Sequence, residues 1–251
     1  MGTYVYCVIA APRRPRATRA RRGLADTGPV RLLDVEAGLF LAVADAPPDR
    51  YGEAAIARGL RDLDWVSRAA VAHEAVIESF GATTAVLPMK LFTIFSSDDR
   101  ALAHVRGERA RIAAVVKRVR NHQEWGVRVA LDRSQTAAGK KAQSRDRSGT
   151  AYLARKKAQR DAAIERTEHA RETVAELYDR LSARASDSTR RSAGEPPMAS
   201  GPLLLDAAFL VPRSRAKAFQ ALVAREARRL AGRGYGLTLS GPWPPYSFVQ
   251  G

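Results

Sequence analysis

The sequence predicts a mixed α+β protein of two domains. Runs rich in aromatic and β-branched residues at 3–10, 83–95, 124–132 and 203–211 suit a pleated, packed surface and read as strands. Between them, apolar residues recur at steps of three and four, the mark of helices with one buried face. The strand at 124–132 is followed by a polar stretch at 133–148 and a fresh helix, so the chain divides into 1–122 and 123–251. In the second half, strand, helix, strand, helix and strand follow one another. That is most of a ferredoxin-like layout built around a long charged helix, with one strand unaccounted for.

Residues 3–10 (TYVYCVIA) are the first strand. From Ala11 to Pro29, prolines and glycines accompany Arg13, Arg14, Arg16, Arg19, Arg21 and Arg22, which excludes a helix or a central strand and leaves a basic loop. Residues 30–35 and 39–44, parted by Glu36, Ala37 and Gly38, read as a β-hairpin. Leu63, Val66, Ala70, His73, Ile77 and Phe80 mark a helix that Gly81 stops. Pro88 places its strand at an edge or an end, because it cannot donate to a ladder. Ser96, Ser97, Asp98 and Asp99 offer N-caps for a helix to about Asn121, with a stripe of Leu102, Val105, Ile112, Val116 and Val119.

In the second half, the helix from about Thr150 to Arg184 is thin in large apolar residues until Val174, Leu177, Tyr178 and Leu181, which are expected to pack. Residues 182–202 mix Ser, Arg, Gly and Pro with almost nothing to bury and read as a disordered insertion. The strand at 203–211 follows. A helix then bears Ala216, Phe219, Val223 and Leu230, and YGLTLS makes the last strand.

Hydrophobic residues make up 45% of the 251, a globular composition. No apolar run reaches the ~18–20 residues that cross a bilayer, and YVYCVIAAP is too short and lacks the basic start of a signal peptide; a cytoplasmic protein is expected. A single cysteine, Cys7, fits a reducing compartment. The net charge of +16, from 42 Lys and Arg against 26 Asp and Glu, would attract polyanions. Only 7 of the 42 are Lys and Ala is abundant, a bias that a GC-rich genome produces without selection on binding. An acidic partner surface and a basic nucleic-acid-binding protein are the functional readings of the charge. The second lacks a helix-turn-helix, a zinc motif or an aromatic platform.

Catalytic constellations are missing. His73, His104, His122 and His169 have no second ligand at metal-motif spacing: His73-Glu74 starts like a zinc protease signature, but position 77 is Ile. His73 reads as a hydrogen-bonded core or boundary histidine. Gly232, Gly234 and Gly236 follow a helix and precede a strand, the reverse of a phosphate-loop context. With no nucleophile elbow, Walker sequence or paired cysteines, no enzyme activity, metal or cofactor is expected.

The most unusual segment is Gly241, Pro242, Trp243, Pro244, Pro245, Tyr246, Ser247, Phe248, Val249. Its prolines fix φ and remove donors, giving a stiff extended stretch whose aromatics lose little entropy on binding. The aromatics either close the core of their own domain or anchor a partner, and both roles can hold. LxGPWPPYSFV resembles the ending of the gas vesicle protein F/L family. Further blocks agree in order: TYVYCVIA with the family's opening strand, HEAVIES (73–79) with the helix before its central motif, and VLPMKLFTIF (86–95) with its VLPxRFGTVF-like segment. GTAYLARKK (149–157) resembles a GxAYLxRKK-like helix start and DAAFLV (206–211) an NAAFLV-like strand. Leu91 and Phe92 stand where the family has Phe then Gly, which bears on any tight turn there. Asp206 replaces Asn and would place a charge near a core strand unless solvated or paired.

The resemblance implies two α+β domains, the second ferredoxin-like, and an accessory or minor structural protein of gas vesicle assembly that binds the main shell protein and other gas vesicle proteins without catalysis. A gas-vesicle-associated place in the cytoplasm follows from it. Candidate partner-binding or family-motif residues are Gly241, Pro242, Trp243, Pro244, Pro245, Tyr246 and Phe248, with Pro88, Lys90, Thr93 and Phe95, and Tyr152, Arg155 and Lys156. Docking is expected through tail aromatics or the edge left by the missing strand. The basic loop and Arg155, Lys156, Lys157 and Arg160 could add contacts to acidic faces.

Overall fold

The computed structural model describes residues 1–16, 22–131, 149–191 and 202–249. The chain forms two compact units, Met1–Glu124 together with Pro242–Gly251, and Trp125–Gly241. The tail therefore belongs to the first unit, whereas its place in the sequence put it with the second.

In the first unit, β1 (Gly2–Ala10) is the central strand, and every residue from Thr3 onward is buried. It pairs antiparallel with β3 (Leu39–Ala46), which pairs with β2 (Arg31–Glu36) across the hairpin turn. Gly38 takes φ +80 there, a region that suits glycine. On its other side β1 meets β4 (Ala85–Pro88) opposite Cys7–Ala10 and β5 (Ile94–Phe95) opposite Thr3–Tyr4, both antiparallel. Pro88 closes an outer strand, as its missing donor requires. The five residues between β4 and β5 loop away from the sheet. They are tied back by Met89 N–H to Tyr6 O at 2.9 Å and Val5 N–H to Thr93 O at 2.9 Å.

Helices α1 (Pro48–Tyr51), α2 (Glu53–Gly59) and α3 (Leu63–Ser79) follow the hairpin. Asp62 caps α3, accepting from Asp64 N at 3.0 Å and Trp65 N at 3.1 Å. The buried stripe is Ala69, His73, Val76 and Ile77. Leu63 is not part of it: it sits in the first turn with 80% of its surface exposed, and Ala70 is exposed too. The single helix expected after Ser96 is two, α4 (Asp98–Gly107), capped by Ser97, and α5 (Arg109–Val119). They part at Glu108, just after Gly107, where glycine's weak helix propensity makes a break easy.

In the second unit, β6 (His122–Leu131, its first residues in the other unit), the long α6 (Gly149–Ser182), β7 (Asp187–Arg190), β8 (Leu203–Pro212), α7 (Ala216–Ala231) and β9 (Tyr235–Trp243) build a four-stranded sheet in the order β7-β8-β6-β9. Val174, Leu177 and Leu181 of α6 are buried with Phe209, Phe219, Val223 and Leu230. Strand β7 lies inside the segment read as disordered. It is polar (DSTR) and at the sheet edge, so it carries no apolar alternation to betray it. Instead it is held by antiparallel pairing with Ala207–Leu210, by Tyr178 Oη donating to Ser188 Oγ at 3.0 Å, and by the Arg190 guanidinium 4.5 Å over the Tyr178 ring. Residues 192–201 of that segment lie outside the described residues.

Asp206, on β8, is paired rather than solvated. Its side chain is 8% exposed and accepts from Arg128 Nε at 2.9 Å and Arg191 Nη1 at 3.4 Å. Both arginines are about one-third exposed and can turn to water if the carboxylate is lost. Asp206→Asn keeps an acceptor and should cost under ~1 kcal/mol, whereas Asp206→Ala should cost about 1–3 kcal/mol, measured by urea denaturation.

Candidate functional site

A chain of hydrogen bonds organises the first unit around His73. Its Nε2 lies 3.1 Å from Met89 O, which can only accept, so Nε2 carries the proton. Nδ1 then accepts from Tyr4 Oη at 2.7 Å, and Tyr4 Oη in turn accepts from Phe92 N–H at 3.2 Å. Burial lowers the His73 pKa and keeps the ring neutral; burial likewise pushes the Tyr4 hydroxyl up. Every polar atom of this relay is occupied by another, so the histidine is structural, as its position on the apolar face of α3 indicates.

The relay supports a turn. Phe92 adopts φ +64, a region that disfavours side chains and suits glycine. The turn holds a side chain there because the Phe92 ring stacks on Trp65, centroids 4.9 Å apart and planes at 13°, while its N–H is held by Tyr4.

The tail reaches the same region. After Gly241 (φ 116), Pro242 and Trp243 are exposed, Trp243 at 39%. The chain then turns inward through Pro244 and the buried Pro245 into α8 (Tyr246–Val249), which packs on α5 and β4. Two carboxylates grip it. Tyr246 Oη donates to Glu74 Oε2, and Glu124 accepts from Ser247 N–H at 2.7 Å and Ser247 Oγ at 2.8 Å. Phe248 is 1% exposed, with the Arg118 guanidinium 5.6 Å from its ring centroid. Burial raises the pKa of Glu74, and its Oε1 is buried without a hydrogen-bond partner.

Beside α8 opens a cleft of about 660 Å³. Pro88, Met89, Lys90, Leu91 and Thr93 form one wall, His73 and Glu74 of α3 another, Arg111, Ile112 and Val115 of α5 a third, and Tyr246 with Val249 the end. The structure thus brings Pro88, Lys90, Thr93 and Tyr246 together. Phe95 stays on β5, its ring 5.1 Å from that of His104. Phe248 lies in the core, and Gly241, Pro242 and Trp243 at the surface. In the second unit, Lys156 is exposed on α6, while the side chains of Tyr152 and Arg155 fall outside the described residues, as do Arg19 and Arg21 of the basic loop. Glu74, Glu124 and Tyr4 were not singled out from sequence as site residues. Each is a lone polar residue whose partner lies far away in the chain, so no local spacing marks it.

Among the described residues, no group of His, Cys, Asp and Glu is arranged to hold a metal ion, and no helix is long and apolar enough to cross a membrane. What the cleft offers is apolar surface with a few charged groups at its rim, the character of a binding site.

Removing the Tyr4 hydroxyl strands both His73 Nδ1 and Phe92 N–H, so Tyr4→Phe should lower unfolding free energy by about 1–3 kcal/mol in a urea titration. For Glu74, the folded pKa is raised above the ordinary 4.5. Its contribution is therefore full below pH 4.5 and is lost as the pH rises through the folded value. Stability measured in steps upward from pH 4.5 should fall for wild type relative to Glu74→Gln; parallel profiles would refute this.

Comparison with known proteins agrees with this architecture. The family model described as gas vesicle synthesis protein GvpL/GvpF matches residues 2–250. The chain is 32% identical over 231 residues to gas vesicle protein L of Streptomyces sp. (strain CB03234), covering 88% of this chain and 83% of that one. It is also 32% identical over 263 residues to gas vesicle protein F of the same strain, covering 100% of both. Among solved structures, the crystal structure of the gas vesicle protein GvpF from Anabaena sp. PCC7120 superposes with a TM-score of 0.70 at 17% identity, covering 99% of this chain and 96% of that one. The GvpF crystal structure from Microcystis aeruginosa gives 0.67 at 15% identity, with 99% of each chain covered. On the full-length family match and these relatives, the chain belongs to the GvpL/GvpF family of gas vesicle synthesis proteins.

Proposed function

We propose that this protein acts in gas vesicle assembly as a non-enzymatic accessory or minor structural component, binding the main shell protein and other gas vesicle proteins. Family membership supports the setting. The observation that carries the mode of action is the convergence of two motif-bearing segments, 86–95 and the tail, on one cleft whose inner polar groups are largely bonded to each other. Such a place suits docking better than reaction chemistry. The same reading puts the protein in the cytoplasm, associated with gas vesicles.

We also read the second unit as ferredoxin-like. The support is its βαββαβ order, with its strands, numbered within the unit, lying side by side as 2-3-1-4. Strand β7 fills the place that sequence left empty, so edge docking no longer draws support from a missing strand. Within the tail the aromatics divide the work. Tyr246 and Phe248 close the first unit, and Trp243 is the one displayed.

The nucleic-acid reading of the charge finds little help. Several described arginines are held by carboxylates, among them Arg14 by Asp34, Arg31 by Asp98 and Asp45, and Arg109 by Glu36. Among the described residues, Trp243 is the one exposed aromatic, too little for a base-stacking platform.

Trp243→Ala should leave stability within about 1 kcal/mol of wild type and reduce capture of the co-expressed shell protein severalfold. Undiminished capture by this folded variant would remove Trp243 from the binding surface.

A further inference from the structure

We propose that the cleft between α3, the 88–93 connection and α5 receives an amphipathic helix of a partner protein. The helix's apolar face would meet Met89, Leu91, Ile112 and Val115, and carboxylates on its flank would face Lys90 and Arg111. This rests on the reading that the chain works by binding other proteins, and it names where and by what chemistry.

The shape comes first. The cleft, about 660 Å³ in volume, is walled by α3, the 88–93 connection and α5. Ile112 and Val115 stand three residues apart on one face of α5 and are only half-buried, so α5 presents an apolar stripe that its own unit leaves partly uncovered. Met89 and Leu91 are half-buried on the opposite wall, on a connection held by His73 Nε2 at Met89 O and by Met89 N–H to Tyr6 O. Strand β4 packs against α5 and α8, so the cleft presents helix faces and side chains. That is the setting in which an apolar helix face lies in a groove.

The molecule already uses this surface in that way. Helix α8 seats one helical turn on α5 and β4, placing Tyr246 and Val249 in the cleft's end wall. A partner helix would continue from that turn along the cleft.

Charge selects the partner. Lys90 is exposed, has no ion pair among the described residues, and stands on one rim. Arg111, 55% exposed, stands on the other, 3.3 Å from Glu108, its i−3 neighbour. From Asp98 to Arg120, the segment behind that rim carries seven Lys or Arg against three Asp or Glu. The remaining carboxylate of the cleft, Glu74, is turned toward Tyr246. An acidic flank on the incoming helix is favoured, and a basic one is repelled.

The test uses the full chain and two synthetic helical peptides of one apolar pattern (Leu or Ile at i, i+3, i+4 and i+7), flanked in one by Glu and in the other by Lys. Their binding is followed by fluorescence anisotropy. The Glu-flanked peptide should bind about tenfold more tightly, the combined effect of two exposed charge pairs. Lys90→Glu with Arg111→Glu, both at exposed positions, should reverse that preference while the thermal melt is retained, and Ile112→Asn should weaken both peptides. Equal affinity for the two peptides, no binding of either, or an acidic preference that survives the double substitution would overturn the proposal. Co-purification with the shell protein separates the two levels. If the charge-reversed chain still captures it as wild type does, the cleft is not the site and the functional reading stands; if wild type captures none, that reading falls.

Discussion

The hydrogen-bonded relay from Phe92 N–H through Tyr4 and His73 to Met89 O is the interaction on which the first unit's working surface depends. It joins three pieces of chain, the central strand β1, helix α3 and the connection between β4 and β5, and adds side-chain bonds to the two backbone bonds that tie that connection to β1. That connection contains a non-glycine residue at positive φ, a conformation costing roughly 1–2 kcal/mol. The Phe92–Trp65 stack contributes about 0.5–1.5 kcal/mol in return, and the bond from Phe92 N–H to Tyr4 adds to it. Space under the stack is kept by Gly59, where an added Cβ would lie 2.6 Å from the Trp65 ring. At a position where the conformation suits glycine, the chain carries a residue that makes its own support. The cleft wall on this side takes its position from those contacts together with the backbone bonds of Met89 and Thr93 to β1.

Much of the fold was legible because its signals are local. The hairpin around Gly38, the stop of α3 at Gly81, the edge position of Pro88 and the packing end of α6 each follow from a few neighbouring residues. What sequence missed is non-local. Strand β7 exists because β8 offers it an edge and Tyr178 offers Ser188 a hydroxyl, and neither fact is written in DSTR. Likewise the tail's home is decided by Glu74, 172 residues away, and Glu124, 123 residues away. For the candidate site, Pro88, Lys90, Thr93 and Tyr246 were reachable through resemblance to a family pattern. The carboxylates that fix the tail were not, since an isolated Glu on a helix looks like any solvated residue.

The large positive charge also reads differently in three dimensions. Asp206 and Glu226 have side chains only 8% and 7% exposed, and each is met by two arginines. Asp98 takes both guanidinium arms of Arg31, at 2.7 and 2.9 Å, and the Thr3 hydroxyl at 2.7 Å; those bonds to Arg31 hold its pKa below the ordinary carboxylate value. Forked guanidinium groups can serve carboxylates from β2, β8 or α7 in ways that a lysine ammonium cannot. Part of the arginine excess is thus structural, and among the described residues of the cleft rim Lys90 stands without an ion pair whereas Arg111 shares Glu108, so local charge at the rim says more about partners than the net charge does.

The tail shows how one stiff segment can serve closure and display together. Its prolines deny it a continued ladder and set its direction, so that Trp243 is left outward while Tyr246 and Phe248 are carried inward. Because α8 is only one turn long, it has little helical stability of its own and is held by the burial of Phe248 together with the carboxylates of Glu74 and Glu124. Those same contacts set the end wall of the cleft. The end wall of the cleft therefore depends on the folded chain end as well as on the 88–93 connection, since Tyr246 and Val249 line it only while these contacts hold the tail in place.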